Sequence, residues 1–270
     1  MEGKEMTFWE HLDELKKVLF RSAIVVILLM VLVFCFKSFV FDTIIFSPRT
    51  SDFIVYRWIN LLAAWKPWLA ALEVAPFQIE LINIEMAAQF ITHISVSFWL
   101  GFVIAVPFVL YQLWTFVQPA LYPKEKNSIM IAFTFCSILF FIGITVGYFM
   151  VFPLTIKFLG TYQVSDWVEN QISLKSYISM FTWLILMMGL VFEMPVLMHV
   201  LSRLGIVTKK FLRKYRKHAV VVLLILAAAI TPSGDAFTMF VVAMPLFLLY
   251  EFSILVCVEP KTEEETVESA

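Results

Sequence analysis

Glu14 stands in the run His11-Leu12-Asp13-Glu14-Leu15-Lys16-Lys17, just before an apolar stretch long enough to cross a bilayer. Glu125 stands in Leu121-Tyr122-Pro123-Lys124-Glu125-Lys126, between two later stretches of the same kind. The cytoplasmic margins of membrane proteins are enriched in Lys and Arg, so acids held there by a helix need a reason. If both carboxylates lie on one side, they form a candidate receptor for a cationic partner. The alternative for Glu14 is mutual support, because Asp13 and Glu14 both have helical pairing distance to Lys17, worth a few tenths of a kcal/mol each. For Glu125 it is a surface acid neutralised by its two lysine neighbours. The loop that carries it is stiff, since Pro119 and Pro123 fix backbone angles and Phe116, Leu121 and Tyr122 can pack it onto the membrane face.

A third acid, Glu193, lies inside an apolar stretch, in Leu190-Val191-Phe192-Glu193-Met194-Pro195. An ionised carboxylate at the bilayer centre costs at least about 2.5 kcal/mol, so it must face protein, water or a partner, or carry a proton. A hydrogen bond locking two helices is the plain reading, and an ion or partner site is the functional one. Glu251 and His93 fall near span ends and read as interfacial groups.

The elements that must position these acids are membrane spans. The chain is 61% hydrophobic and 15% charged, with a mean hydropathy of +0.88, which no water-soluble fold of 270 residues can bury. An all-α polytopic membrane protein follows, with six helices at about 18–41, 90–116, 129–152, 177–201, 218–230 and 237–257. Residues 1–259 make one membrane domain and 260–270 a polar tail. The last two spans read as a short hairpin around Thr231-Pro232-Ser233-Gly234-Asp235. Fourteen Lys and Arg flank the alternate loops that include both termini, against five in the others. That bias places both termini in the cytoplasm. The N-terminal residues lack the pattern of a cleaved signal peptide, so the first span is expected to remain. Lys37, near a span end, belongs to neither tally. Trp58, Trp65 and Trp68 suggest a short amphipathic helix at the membrane surface. Gly143-x-x-x-Gly147 permits close helix approach, and Pro107, Pro195 and Pro245 are expected to bend their helices.

The three cysteines are far apart and read as small buried hydrophobes. The sequence has no paired His with a carboxylate for a metal and no glycine loop for a phosphate, so no cofactor, no nucleic acid and no enzyme activity are expected. The absence of an internal repeat speaks against an ordinary carrier. A proton- or ion-coupled small-solute carrier with Glu193 as its ion site stays as the alternative.

His11-Leu12-Asp13-Glu14-Leu15, Gln118-Pro119-Ala120-Leu121-Tyr122 with Glu125, Gly147-Tyr148-Phe149 with Phe152-Pro153, Phe192-Glu193-Met194-Pro195 and Thr231-Pro232 with Asp235 occur in order. In this combination the chain resembles the TatC family, the multispan receptor subunit of the twin-arginine protein translocase. The likeness runs from about Phe8 to Glu259. It implies helices forming a concave groove, a place in a bacterial-type inner membrane, and export of folded proteins driven by the proton gradient. Their paired-arginine signal peptides would be received by Glu14 and Glu125, with His11, Leu15, Phe116, Pro119, Leu121 and Tyr122 around them. Glu193 would lie in the groove close to single-span TatA/TatB-type subunits in a larger oligomer. Pro48 and Asp235 would have structural or assembly roles on the outer side. The chain departs from the family pattern at Lys16, where Arg is common, at Ser233-Gly234-Asp235, and in a long tryptophan-rich segment over 42–85. Short final spans also suggest a locally thinned bilayer.

Overall fold

The computed structural model describes residues 8–65, 73–117, 126–165, 167–168, 170–203 and 205–257. Ten α-helices are present among them: α1 (Phe8–Cys35), α2 (Ile54–Trp65), α3 (Ala88–Val117), α4 (Lys126–Val146), α5 (Phe152–Thr161), α6 (Leu174–Val191), α7 (Met194–Arg203), α8 (Lys209–Lys214), α9 (Arg216–Ile230) and α10 (Ala236–Val256). Five helical stretches are long and apolar enough to cross a membrane: Trp9–Cys35, Ala88–Phe116, Met130–Thr161, Leu174–Arg203 and Ala236–Val256. The all-helical membrane class is thus observed. The described residues gather into two compact units, 1–138 with 156–183 and 139–155 with 184–270.

In the first unit α1 packs along α3. Gly101 makes this approach possible, because a Cβ there would stand 2.7 Å from the backbone nitrogen of Met30. At the far end of the pair the His93 ring stacks on Phe34, centroids 3.9 Å apart, and its Nε2 lies 3.2 Å from the Phe34 carbonyl oxygen. His93 thus fixes the α1–α3 seam. The outward face of α1, with Phe20, Ile27, Leu28 and Val31, is exposed, as lipid-facing apolar side chains should be.

Beyond α1 the chain widens into a π-helical turn, Phe39–Ile45, and then tightens into a 3-10 turn, Ser47–Arg49. This end of the unit is a small cap. Two-residue strands β1 (Leu81–Ile82) and β2 (Ile172–Ser173) pair in parallel, Leu81 with Ile172. Thr50 bridges Gln78, and the fully buried Tyr177 donates its hydroxyl to the Ile45 carbonyl at 2.7 Å. Asn60 on α2 satisfies both backbone groups of Val74. The expected tryptophan-rich helix is α2; it buries Tyr56 and Ala63 and exposes Trp58 and Trp65. Trp68 lies outside the described residues.

In the second unit Gly143 and Gly147 let α4 lie against α6. A Cβ on Gly143 would fall 2.6 Å from the Met188 carbonyl, and one on Gly147 3.1 Å from Ile185 Cα and Met188 Cβ. Gly189 answers from the other side against Phe140 and Ile144. The expected close approach is observed. The helix then widens into a π turn at Gly147–Val151.

The three prolines behave differently. α3 and α10 run on through Pro107 and Pro245. At Pro195 the span breaks, with Phe192 and Glu193 forming the turn between α6 and α7. Proline lacks the amide proton that would bond Val191 and its ring crowds that carbonyl.

The expectation that the last span is short is corrected. α10 has 21 residues, about 31 Å at 1.5 Å per residue, against a hydrocarbon core of about 30 Å. The strongly apolar run stops at Tyr250, but Arg216 pairs with the Glu251 carboxylate at 2.6 Å and the helix continues to Val256, close to the expected end at 257. α9 has 15 residues, about 22 Å, and is not among the five membrane-length stretches. α10 packs on α7 and α9.

Candidate functional site

The foot of α1 places the first group of candidate residues. His11 is half-buried because its ring stacks on Phe116 near the end of α3, with centroids 4.3 Å apart and planes 26° from parallel. Leu15, one turn along, is also half-buried. Glu14 lies between them in sequence, with its side chain 43% exposed and its Oε1 accepting from Lys17 Nζ at 2.7 Å. Asp13 pairs with Lys16 at 3.5 Å, both well exposed. The intrahelical pairing expected for Glu14 is therefore present. Such a pair in water is worth about 0–1 kcal/mol, so a bidentate guanidinium can displace the lysine.

The end of α3 leads directly into the loop that carries Pro119, Leu121, Tyr122 and Glu125, all of which lie outside the described residues. The stack of His11 on Phe116 holds the foot of α1 against the last turn of α3, which ends at Val117. Glu193 stands elsewhere, half-buried at the α6–α7 turn. Its backbone N–H donates to Leu190 and its carbonyl accepts from Leu197.

Pro48 is buried in the cap, and its carbonyl accepts from the Tyr56 hydroxyl at 3.3 Å. Burial pushes the ionisation of that phenol up. Asp235 caps α10 at its N-terminus. Its carboxylate accepts from the Thr238 amide at 2.8 Å and from the hydroxyls of Ser233 and Thr238. Burial opposes ionisation there, but the hydrogen bonds from Ser233 and Thr238 outweigh it and hold the carboxyl below its ordinary range. Gly234 occupies the left-handed region, φ 62°, and nothing crowds its Cβ position. Ser233 and Thr238 on either side of Asp235 thus build a hydroxyl-rich cap.

Sequence reasoning missed the partner of Glu251. The cation-rich loop before α9 was the available signal, and Arg216 at its end supplies the pair. Near it, the Tyr250 hydroxyl donates to the Leu212 carbonyl at 2.7 Å.

These features define a multispan helical membrane protein with an aromatic-anchored acidic foot on its first span and a hydrogen-bonded cap at the other end of that span. The chain matches the family described as Sec-independent protein translocase protein (TatC) over residues 10–245. It is 36% identical to the TatC protein of Blattabacterium sp. subsp. Periplaneta americana across 94% of this chain and 96% of that one. It is 32% identical to that of Carboxydothermus hydrogenoformans, covering 97% of each. A crystal structure of the twin-arginine translocase receptor TatC in DDM superposes with a TM-score of 0.70, at 32% identity, over 92% of this chain and 100% of that one. A second crystal structure of that receptor gives 0.65 at 31% identity. The chain belongs to the TatC family. It is a multi-pass membrane subunit of the Sec-independent, twin-arginine protein translocase, a transporter and not an enzyme.

Proposed function

We propose that this subunit is the receptor for paired-arginine signal peptides, with Glu14 and Glu125 each taking one guanidinium. The observation that supports this is the His11–Phe116 stack, which anchors the foot of α1 beside the start of the Glu125 loop. Each arginine can make two parallel hydrogen bonds to a carboxylate. Lysine cannot, so the acids supply selectivity. Leu15, Phe116, Pro119, Leu121 and Tyr122 form the surround, and the apolar part of the peptide adds affinity by leaving water.

The rest of the reading follows the charge bias and the family. Both termini face the cytoplasm of a bacterial inner membrane, and α9 serves as a sixth, short span beside which the bilayer thins. Residues 1–259 act as one membrane domain. Glu193 meets single-span partner subunits of TatA/TatB type, within a larger oligomer. Transport of the folded cargo draws on the proton gradient. Pro48 and Asp235 hold the outer side, where α2 rests its tryptophans on the membrane surface.

The test is photo-crosslinking of a twin-arginine peptide to the full-length protein in membranes. Crosslinks should be lost with Glu14→Ala, with Glu125→Ala, and with a Lys-Lys peptide. Undiminished crosslinking in both variants would overturn the assignment of the two acids.

A further inference from the structure

Lys37 and Arg49 share a hollow at the end of α1 remote from Glu14. It encloses about 530 Å³ and is also lined by Phe41, Asp42, Asn83 and Phe90. That volume is typical of a built small-molecule site, about 300–1,000 Å³. No ion pair is seen for Lys37 or Arg49 among the described residues, a state they share with Arg21, Lys157 and most of the cations over 203–217; what sets these two apart is that they line one hollow. Asp42 lines the same hollow yet pairs with neither. Arg49 is half-buried, with its guanidinium carbon 5.7 Å from the centre of the Phe46 ring. Its direction is therefore fixed by an aromatic face rather than by a carboxylate.

The position of the hollow matters as much as its charge. The exposed apolar belt of α1 ends at Val31 and Leu32, with Phe36 just past the helix, so Lys37 sits where hydrocarbon gives way to headgroups. Phe39 and Phe90 are exposed beside it and offer a track for an acyl chain. The Asn83 amide donates to the Glu85 carbonyl at 3.1 Å and has a second N–H as a neutral donor. Two unpaired cations, a neutral donor and an apolar exit match a phosphodiester attached to lipid chains.

We infer that this hollow binds the headgroup of an anionic phospholipid from the adjoining leaflet, with Lys37 and Arg49 on the phosphate. The site needs only that α1 spans the membrane, and it stands apart from the peptide-binding reading of Glu14. Juxtamembrane cations near anionic lipid each contribute enough to change occupancy about fivefold.

The full-length protein in phosphatidylcholine nanodiscs doped with phosphatidylglycerol gives the test, with lipids retained on extraction counted by native mass spectrometry. Phosphatidylglycerol should be retained over phosphatidylcholine by about tenfold, falling about fivefold in Lys37→Gln and further in the double variant with Arg49→Gln. The charge-preserving pair Lys37→Arg and Arg49→Lys should retain the preference, and Asp42→Asn should leave it unchanged or stronger. Equal retention of the two lipids would overturn the inference. So would loss of binding in Asp42→Asn, which would make the hollow a cation site. Displacement of the lipid by millimolar glycerol 3-phosphate would assign it to a soluble anion instead. Twin-arginine peptide crosslinking in the same variants should be unaltered, which separates failure here from failure of the receptor reading.

Discussion

Glu14 and Asp235 both stand near the start of a membrane-length helix, and the chain treats them in opposite ways. Asp235 is saturated. It accepts one backbone amide and two hydroxyls from residues within three positions of itself, so its charge is spent on starting α10. Glu14 shares its charge with Lys17, a long side chain that is itself 57% exposed. A carboxylate met by backbone and short hydroxyls is structural because those donors cannot leave. One met by a lysine in water can exchange partners at little cost. Equal formal charge near equal helix ends thus supports two different roles.

The contrast can be broken or sharpened by experiment. The largest effect belongs to Glu14→Ala. Twin-arginine peptide affinity should fall by at least tenfold, since a charge-assisted hydrogen bond is worth about 1.5–3 kcal/mol; thermal stability in detergent should barely move. An unchanged affinity with lowered stability would reverse the two roles. Gly143→Ala, chosen because it touches neither acid, should cost about 1–3 kcal/mol by driving a methyl into the Met188 carbonyl, read as a lowered unfolding midpoint. Asp235→Ala should cost about 1 kcal/mol through loss of the helix cap, with peptide affinity intact. The Asp235 carboxyl is held below its ordinary range, so its contribution is present above the unfolded carboxyl pKa and lost as pH falls through the lower folded value. Wild-type protein should therefore lose more stability than Asp235→Asn between pH 7 and pH 3, a difference that differential scanning fluorimetry resolves. Smallest of all, Lys17→Ala should change stability by a few tenths of a kcal/mol while leaving Glu14 free to bind peptide at least as well.

Much of the fold was legible because a span must be long and apolar, and composition states that directly. α1, α3 and the Gly143–Gly147 contact follow from runs and spacing alone. Other features depend on who stands opposite. The last span looked short because Glu251 is charged, and its neutralisation by Arg216, 35 positions away, has no local signature. Pro107, Pro195 and Pro245 look alike in sequence, yet only Pro195 breaks its span. Leu12, Leu15 and Leu19 recur at helical spacing, yet Leu19 is 59% exposed while Val18 beside it is buried. Lipid accepts an apolar face as readily as protein does, so periodicity marks a stripe without saying what covers it. Of the proposed acidic site, the Glu14 half was marked by residue type and motif order, while Glu125 lies outside the described residues. His11 was named as a neighbour of Glu14, but its stack on Phe116 is a tertiary fact that spacing cannot supply.

The cap at the remote end of α1 has a consequence for how the chain is made. Tyr177 reaches back 132 positions to the Ile45 carbonyl, β2 pairs with a strand some ninety residues earlier, and Lys175 holds Glu85 across a similar gap. None of these ties can form until the chain has been made as far as the start of the fourth membrane stretch, at residues 172–177. At about 5–20 residues per second on the ribosome, residues 39–85 must wait roughly ten seconds for their partners. During that interval the segment is held only by its own ties, Tyr56 to Pro48, Asn60 to Val74 and Thr50 to Gln78. The cap is therefore completed late in synthesis, and a nascent chain arrested before Ile172 should be more open to protease between α1 and α3 than the full chain.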